Sequence, residues 1–458
     1  MTGGLQRNYA KSKKNSKEMI ESLDERFAFM EEGIKGGRTF DKIGTVRRVT
    51  GLIIESEGPE VSIGQVCSIT SARHSQKIEA QVVGFRENTV LLMALDSVHL
   101  IHPGCKVASK RNSNVVPYGP SLLGRIIDGM GRPIDGKGPL LAPQRDGFYA
   151  EPPNPLNRSL IEKPFATGVK SIDAFVPLGN GQRVGIFSGS GVGKSILLGM
   201  IARGSEADVN IISLVGERGR ELREFVENDL GPEGMAKSVI VVSTSDQPAP
   251  MRIRASILAT ALAEGFRDQG SKVLLLMDSL TRFAMAQREI GLAAGEPPAS
   301  RGYVPSVFSM LPKLLERTGT SENGAITAIY TVLVEGDDMN EPVADAVRGF
   351  LDGHIVLSRK LANANHFPAV DVLRSVSRLD RAVCSEDEIK LISDARDLLS
   401  VYRQNEDLIN VGAYVKNSNP KIDRAIEKFD LMEVFLRQRY DKLVTREEAF
   451  SKLFAIFS

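Results

Sequence analysis

A lysine and a serine close a glycine-rich run, Gly189-Ser190-Gly191-Val192-Gly193-Lys194-Ser195, and these residues carry the strongest chemical signal in the chain. Glycine lets the backbone wrap close to an anion, and a helix starting at that point offers successive N–H groups with positive partial charge. Such a loop cradles a polyphosphate, with Lys194 on the β- and γ-phosphates and the Ser195 hydroxyl on Mg2+. One position departs from the strict pattern Gly-x-x-x-x-Gly-Lys-Ser/Thr, since Ser188 stands where glycine is expected. A chance glycine-rich turn is the competing reading. The context argues against it: Gln182 to Phe187 supplies a short apolar strand upstream, and Ile196 to Ala202 has helical composition downstream.

Phosphate binding alone is not hydrolysis, which needs further groups at the ends of neighbouring strands. The apolar run Leu274 to Met277 ends in Asp278, placed to orient Mg2+ and its waters. Asn210 to Val215 ends in Gly216-Glu217-Arg218-Gly219. A carboxylate at Glu217 could polarise the water that attacks a γ-phosphate, with Arg218 keeping the local charge in order. On the residues alone, a helix-capping Asp278 and a solvated loop acid at Glu217 remain open.

The elements that must position these groups are short apolar strands alternating with helical segments. Strands are expected at Val184–Phe187, Asn210–Leu214, Ser238–Thr244, Lys272–Met277, Ala325–Val334 and His354–Leu357, with helices such as Arg252–Arg267 and Ala344–Leu351 between them. This alternation predicts an α/β domain over 164–381 with a mostly parallel sheet, its ligand site at the carboxyl ends of the strands. Before it, from 41 to 110, alternating segments broken by turns predict a small antiparallel β-barrel. Its stretch lacks aromatics interleaved with basic residues, so packing or ring formation is expected rather than nucleic-acid binding. Residues 111–163, dense in glycine and proline, read as a linker made of turns. After Arg381 only helices follow, at Glu386–Arg403, Pro420–Leu443 and Arg446–Phe457, forming a C-terminal helical domain over 382–458. Residues 1–40 read as a basic tail and an amphipathic helix (Met19, Leu23, Phe27, Met30) suited to its own domain, a partner helix or an anionic membrane.

Composition bounds the rest. A chain of 458 residues with net charge +1 is long enough for several cores, and its balanced charge argues against a nucleic-acid coat. The three cysteines, Cys67, Cys105 and Cys384, have no paired spacing, so a reducing cytoplasm is expected. Apolar runs such as Val273–Met277 fall far short of the roughly 20 residues that span a membrane, and no apolar stretch follows the basic N-terminus.

Taken together, Thr167-Gly168-Val169-Lys170-Ser171-Ile172-Asp173, Gly181-Gln182-Arg183, the phosphate loop, Gly216-Glu217-Arg218 and the run Pro368-Ala369-Val370-Asp371-Val372-Leu373-Arg374-Ser375-Val376-Ser377 resemble the α/β subunit family of rotary ATPases. Within it, Asp278-Ser279-Leu280-Thr281-Arg282-Phe283-Ala284 and Pro298-Ala299-Ser300-Arg301-Gly302-Tyr303 resemble the type III export ATPases, most closely their flagellar branch, where a small residue other than glycine at position 188 is usual. The resemblance runs from about residue 40 to the end. It implies a RecA-like P-loop ATPase core and a cytoplasmic homohexamer, peripheral to the inner membrane, that binds ATP and Mg2+ between neighbouring copies. By position it implies phosphate contact from Ser188 to Ser195, Mg2+ at Ser195 and Asp278, and catalysis by Glu217 with Lys194. It also implies adenine against Phe367, and Arg378 as a finger into the neighbour's site. The implied partners are a regulatory protein on the N-terminal helix, a coiled-coil stalk, export substrates and chaperones, and the export gate, with no nucleic acid. A virulence-type export ATPase, an RNA-dependent ring helicase and a non-catalytic nucleotide-binding subunit stand as rivals. Because non-catalytic rotary subunits lack the carboxylate at the Glu217 position, its presence with Lys194 and Asp278 implies turnover.

Overall fold

The computed structural model describes residues 42–458 apart from 72, 73, 97, 111, 112, 335 and 337. The basic tail and amphipathic helix expected over 1–40 lie outside the described residues.

Six strands, β1 (Ile43–Thr50), β2 (Ile53–Glu57), β3 (Val66–Ser71), β4 (His74–Arg86), β5 (Thr89–Ala94) and β6 (Lys106–Ser109), close into an antiparallel barrel in the order β1-β2-β5-β4-β3-β6. Alternation turns Val46, Ile54, Ile69, Val82, Leu92 and Val107 into its core, where Cys67 and Cys105 are also buried. Burial pushes the Cys67 thiol up to about 11, which keeps it protonated and unreactive at neutral pH.

The central sheet uses β7 (Arg125–Asp128), β8 (Arg183–Ser188), β9 (Val209–Val215), β10 (Ser238–Ser243), β11 (Lys272–Asp278), β12 (Ala325–Leu333), β13 (Gly353–Val356) and β14 (Val376–Ser377). Their order is β14-β13-β8-β12-β11-β9-β10-β7, parallel except for β14. Every residue of β9 and β10 is buried, the continuous apolar pattern of strands covered on both faces. Ala249–Arg267, Leu280–Ala294 and Pro305–Glu316 are the main helices against one face. The C-terminal domain is built on helices Glu386–Asn410, Pro420–Leu436 and Arg446–Phe457.

The structure corrects two expectations. Residues 111–163 are not a simple linker, because β7 within them pairs in parallel with β10 and extends the central sheet. Asp135 pins this strand, accepting from Arg125 Nε at 2.7 Å and from the Ile126 backbone N–H at 3.1 Å. Gly129 is required where the chain passes helix Ala249–Arg267, because a Cβ there would lie 2.8 Å from the Met251 carbonyl. Further along, Phe148 is buried under the Arg254 guanidinium, 4.4 Å from its ring centroid. Four residues of strand flanked by glycine leave no periodic trace in sequence, and the partner strand is remote. The second correction concerns the helix expected over 420–443, which ends at Leu436. Gln438 leaves the helix to bridge domains: its Oε1 accepts from the Lys170 N–H, and its Nε2 donates to the Gly168 and Lys442 carbonyls, each at 2.8 Å.

One buried ion pair ties the former linker to the core. Arg317 donates to both carboxylate oxygens of Glu264, at 2.9 and 2.7 Å, and to the carbonyls of Phe148 and Gly147, at 2.9 and 3.2 Å. The two side chains are only 6% and 4% exposed. Arg317→Met therefore strands a buried carboxylate and two carbonyls, at a cost of about 3–5 kcal/mol. The expected thermal denaturation midpoint falls by roughly 5–10 °C. Replacing both members, Arg317→Met with Glu264→Leu, recovers part of that loss, because the uncompensated charge is gone. An unchanged midpoint in the single variant would contradict this account.

Candidate active site

The strand β8 runs through the middle of the sheet and delivers Ser188 to the start of the phosphate loop. Gly191 and Gly193 take φ of 76° and 85°, the left-handed region that glycine occupies without strain, and Gly193 caps the helix Lys194–Gly204. The first backbone N–H groups of that helix have no partner inside it and face the loop. The Ser188 hydroxyl is buried and has no hydrogen-bond partner among the described residues.

Lys194 sits between two carboxylates. Its Nζ is ion-paired with Asp278 and lies 3.7 Å from Glu217 Oε1. Asp278 ends β11, Glu217 follows β9, and these two strands are neighbours in the sheet, which explains why residues 61 positions apart meet (278 − 217). Asp278 is 4% exposed and also accepts from Thr331 Oγ1 at 2.6 Å. Thr331 escaped the sequence reading, because a threonine inside an apolar strand reads as β-propensity.

Burial raises the Glu217 carboxyl above the usual glutamate value, Asp278 adds to the rise, and Lys194 and Arg282 oppose it. Arg218, expected to order this charge, lines the cleft that opens over the loop, with a side chain 83% exposed and paired with Glu221 at 3.4 Å. Arg282 also favours the ionised carboxylate, and its aliphatic stem packs against Gly216 so closely that a Cβ there would meet it at 2.9 Å. A general base must be ionised to work. If Glu217 is the general base, the acid limb of the rate profile is expected above the 4.5 of a free glutamate, with activity lost as pH falls through it. A limb at or below that value would show that Glu217 is not the titrating group.

A cleft of about 1340 Å3 opens over the loop, lined among others by Ser195, Glu217, Arg282, Tyr303 and Phe367. Phe367 is 40% exposed, its ring 3.3 Å from where a Gly193 side chain would begin. Arg378 is exposed and does not line this cleft. It follows β14, beside the opposite end of β8 from the phosphate loop, and its N–H donates to the Asp352 carbonyl at 3.0 Å. The five residue steps of β8 span roughly 17 Å, beyond what an arginine side chain can bridge.

Comparison with known proteins gives this geometry its family. Residues 168–377 match the ATP synthase alpha/beta family nucleotide-binding domain, residues 46–110 its beta-barrel domain, and residues 384–455 the T3SS EscN ATPase C-terminal domain. The flagellum-specific ATP synthase of Bacillus subtilis is 53% identical over 91% of this chain and 95% of its own. The chain belongs to the ATP synthase alpha/beta family. It is an ATPase of the type III export branch. The type 3 secretion system ATPase of Sinorhizobium fredii is 49% identical to this ATPase over 88% of the chain and 90% of its own length. The assembled ATPase EscN of enteropathogenic E. coli superimposes with a TM-score of 0.86 at 43% identity, covering 91% of this ATPase and all of EscN's solved chain. Among the described residues of this ATPase, no helix is long and apolar enough to cross a membrane.

Proposed function

We propose that this ATPase hydrolyses ATP at the interfaces of a homohexameric ring to promote flagellar type III protein export. The observation that carries the chemistry is Lys194 held between Glu217 and Asp278 at the mouth of a glycine-cradled helix N-terminus. Lys194 and the loop N–H groups from Gly189 to Ser195 bind the β- and γ-phosphates, and Phe367 packs on the adenine. Glu217 takes the proton of the attacking water. The oxygen donors at the loop fit Mg2+, with the Ser195 hydroxyl as direct ligand and Asp278 orienting its waters. Held by these residues, the cation would supply positive charge against the charge that develops on the phosphate oxygens. Arg378, out of reach of its own loop, serves the site of the next copy.

The export role rests on the relatives. Flagellum-specific ATP synthases of B. subtilis, Treponema pallidum and Salmonella typhimurium are 53%, 51% and 46% identical to this chain. EscN has been solved in assembled form and in complex with its central stalk EscO, which supports a ring turning over against a coiled-coil stalk. Export substrates, their chaperones and the membrane gate are the remaining proposed partners, with the N-terminal segment binding a regulatory protein at the inner membrane.

Expression in a strain lacking its flagellar export ATPase tests this reading. The unmodified chain is expected to restore swimming, and Lys194→Ala is not. Restored secretion in a virulence-secretion mutant, with no rescue of swimming, would move the assignment to that system.

A further inference from the structure

The strand that ends in the phosphate loop begins in a polar clamp. At its start, Gln182 is fully buried and uses its whole amide: Oε1 accepts from the Gly179 N–H at 2.8 Å, and Nε2 donates to the Asp352 carbonyl at 3.0 Å and to Ser377 Oγ at 3.2 Å. Ser377 immediately precedes Arg378, and the same Oγ accepts from the Leu379 N–H on its other side, at 3.3 Å. The Asp352 carbonyl that takes the Gln182 amide also takes the Arg378 N–H. Next in sequence, Arg183 grips Asp352 at four points. Its N–H and Nε each lie 3.1 Å from Oδ2, its Nη2 lies 3.3 Å from Oδ1, and its carbonyl accepts the Asp352 N–H at 2.9 Å. The far side of the Arg183 guanidinium meets Glu316 at 2.6 Å. Gly353 lets these backbones close up, since a Cβ there would lie 2.7 Å from the Val376 carbonyl. The Arg378 guanidinium itself is exposed and held only by a long hydrogen bond to the Arg348 carbonyl, 3.5 Å, among the described residues, so its aim is set chiefly by this clamped backbone.

We propose that Gln182 and Arg183 are positioning residues for Arg378, so that β8 fixes the phosphate loop of one site at one end and the finger for the adjacent site at the other. The inference rests on Arg378 acting on a neighbouring copy. It makes β8 a short rigid connection between two successive sites of the ring. A finger displaced by about 1 Å loses on the order of 10²-fold in rate, although no contact to nucleotide has been removed.

Mixed assemblies test this. Glu217→Gln chains contribute only a finger, and Arg378→Ala chains contribute only a carboxylate. An equal mixture regains hydrolysis where the two meet correctly, about a quarter of the interfaces in random assembly. Gln182→Met, close to isosteric, is then added to one partner at a time. In the Glu217→Gln chain it is expected to cut the recovered rate by about tenfold or more, with KM for ATP unchanged. In the Arg378→Ala chain the recovered rate stays within about twofold. Asp352→Asn, which keeps the backbone bonds and weakens the grip of Arg183, shows the same asymmetry and guards against a Gln182 variant that fails to fold. Equal losses in both partners would mean a merely structural role, and no loss in either would mean no role; both overturn the proposal. No recovery in the unmodified mixture would instead remove the shared site on which it rests.

Discussion

Glu217→Gln is expected to lower kcat by about 10²–10⁴ while nucleotide binding persists. Glutamine keeps the shape of the side chain and loses its charge, so Lys194 stays paired with Asp278 and the loop geometry is retained. Removing one partly buried negative charge beside the site of the polyphosphate leaves ATP affinity equal or tighter, because a repulsive Coulomb contribution is gone. The change therefore falls on kcat, and equilibrium binding of a fluorescent ATP analogue separates the two effects. Retention of more than about a tenth of the rate would mean that another group activates the water.

Arg378→Ala is expected to cost about 10³–10⁵ in kcat, the range of arginine fingers in related phosphoryl transfers. Its position makes the prediction specific. Arg378 lies on the surface, remote from the cleft of its own chain, and its guanidinium donates a long hydrogen bond, 3.5 Å, to the Arg348 carbonyl. Truncating an exposed side chain of that kind leaves the thermal midpoint within the range of ordinary surface changes, about 0.5 kcal/mol. Loss of turnover without loss of stability or of ATP binding separates a transferred charge from a structural arginine. Normal turnover would make Arg378 an ordinary surface residue.

Much of the site was legible because its parts obey local rules. A glycine-rich turn between an apolar strand and a helix announces the phosphate loop, and acids at the tips of buried strands, Glu217 after β9 and Asp278 at the end of β11, mark positions beside it. The central strands are legible for a related reason: both faces are covered, so they read as unbroken apolar runs. Polar residues whose partners lie far away in sequence were not legible. Thr331 finds Asp278 from a neighbouring part of the sheet, and Gln438 reaches Gly168 across 270 positions. Arg282 sits in the Asp278 motif, far from Glu217 in sequence, and only the fold packs its stem against Gly216, beside that carboxylate. The strand Arg125–Asp128 was hidden by the glycines and prolines that flank it, since its pairing with Ser238–Ser243 is settled by tertiary contacts alone.

The central claim, that one catalytic site needs two copies of this chain, is tested most directly by ATP hydrolysis per molecule across a dilution series, for the unmodified chain and for Arg378→Ala. The expected result is a specific activity that rises with concentration as copies assemble, with Arg378→Ala at baseline throughout although it binds nucleotide. A specific activity independent of dilution into the monomer range, and equal in Arg378→Ala, would contradict it.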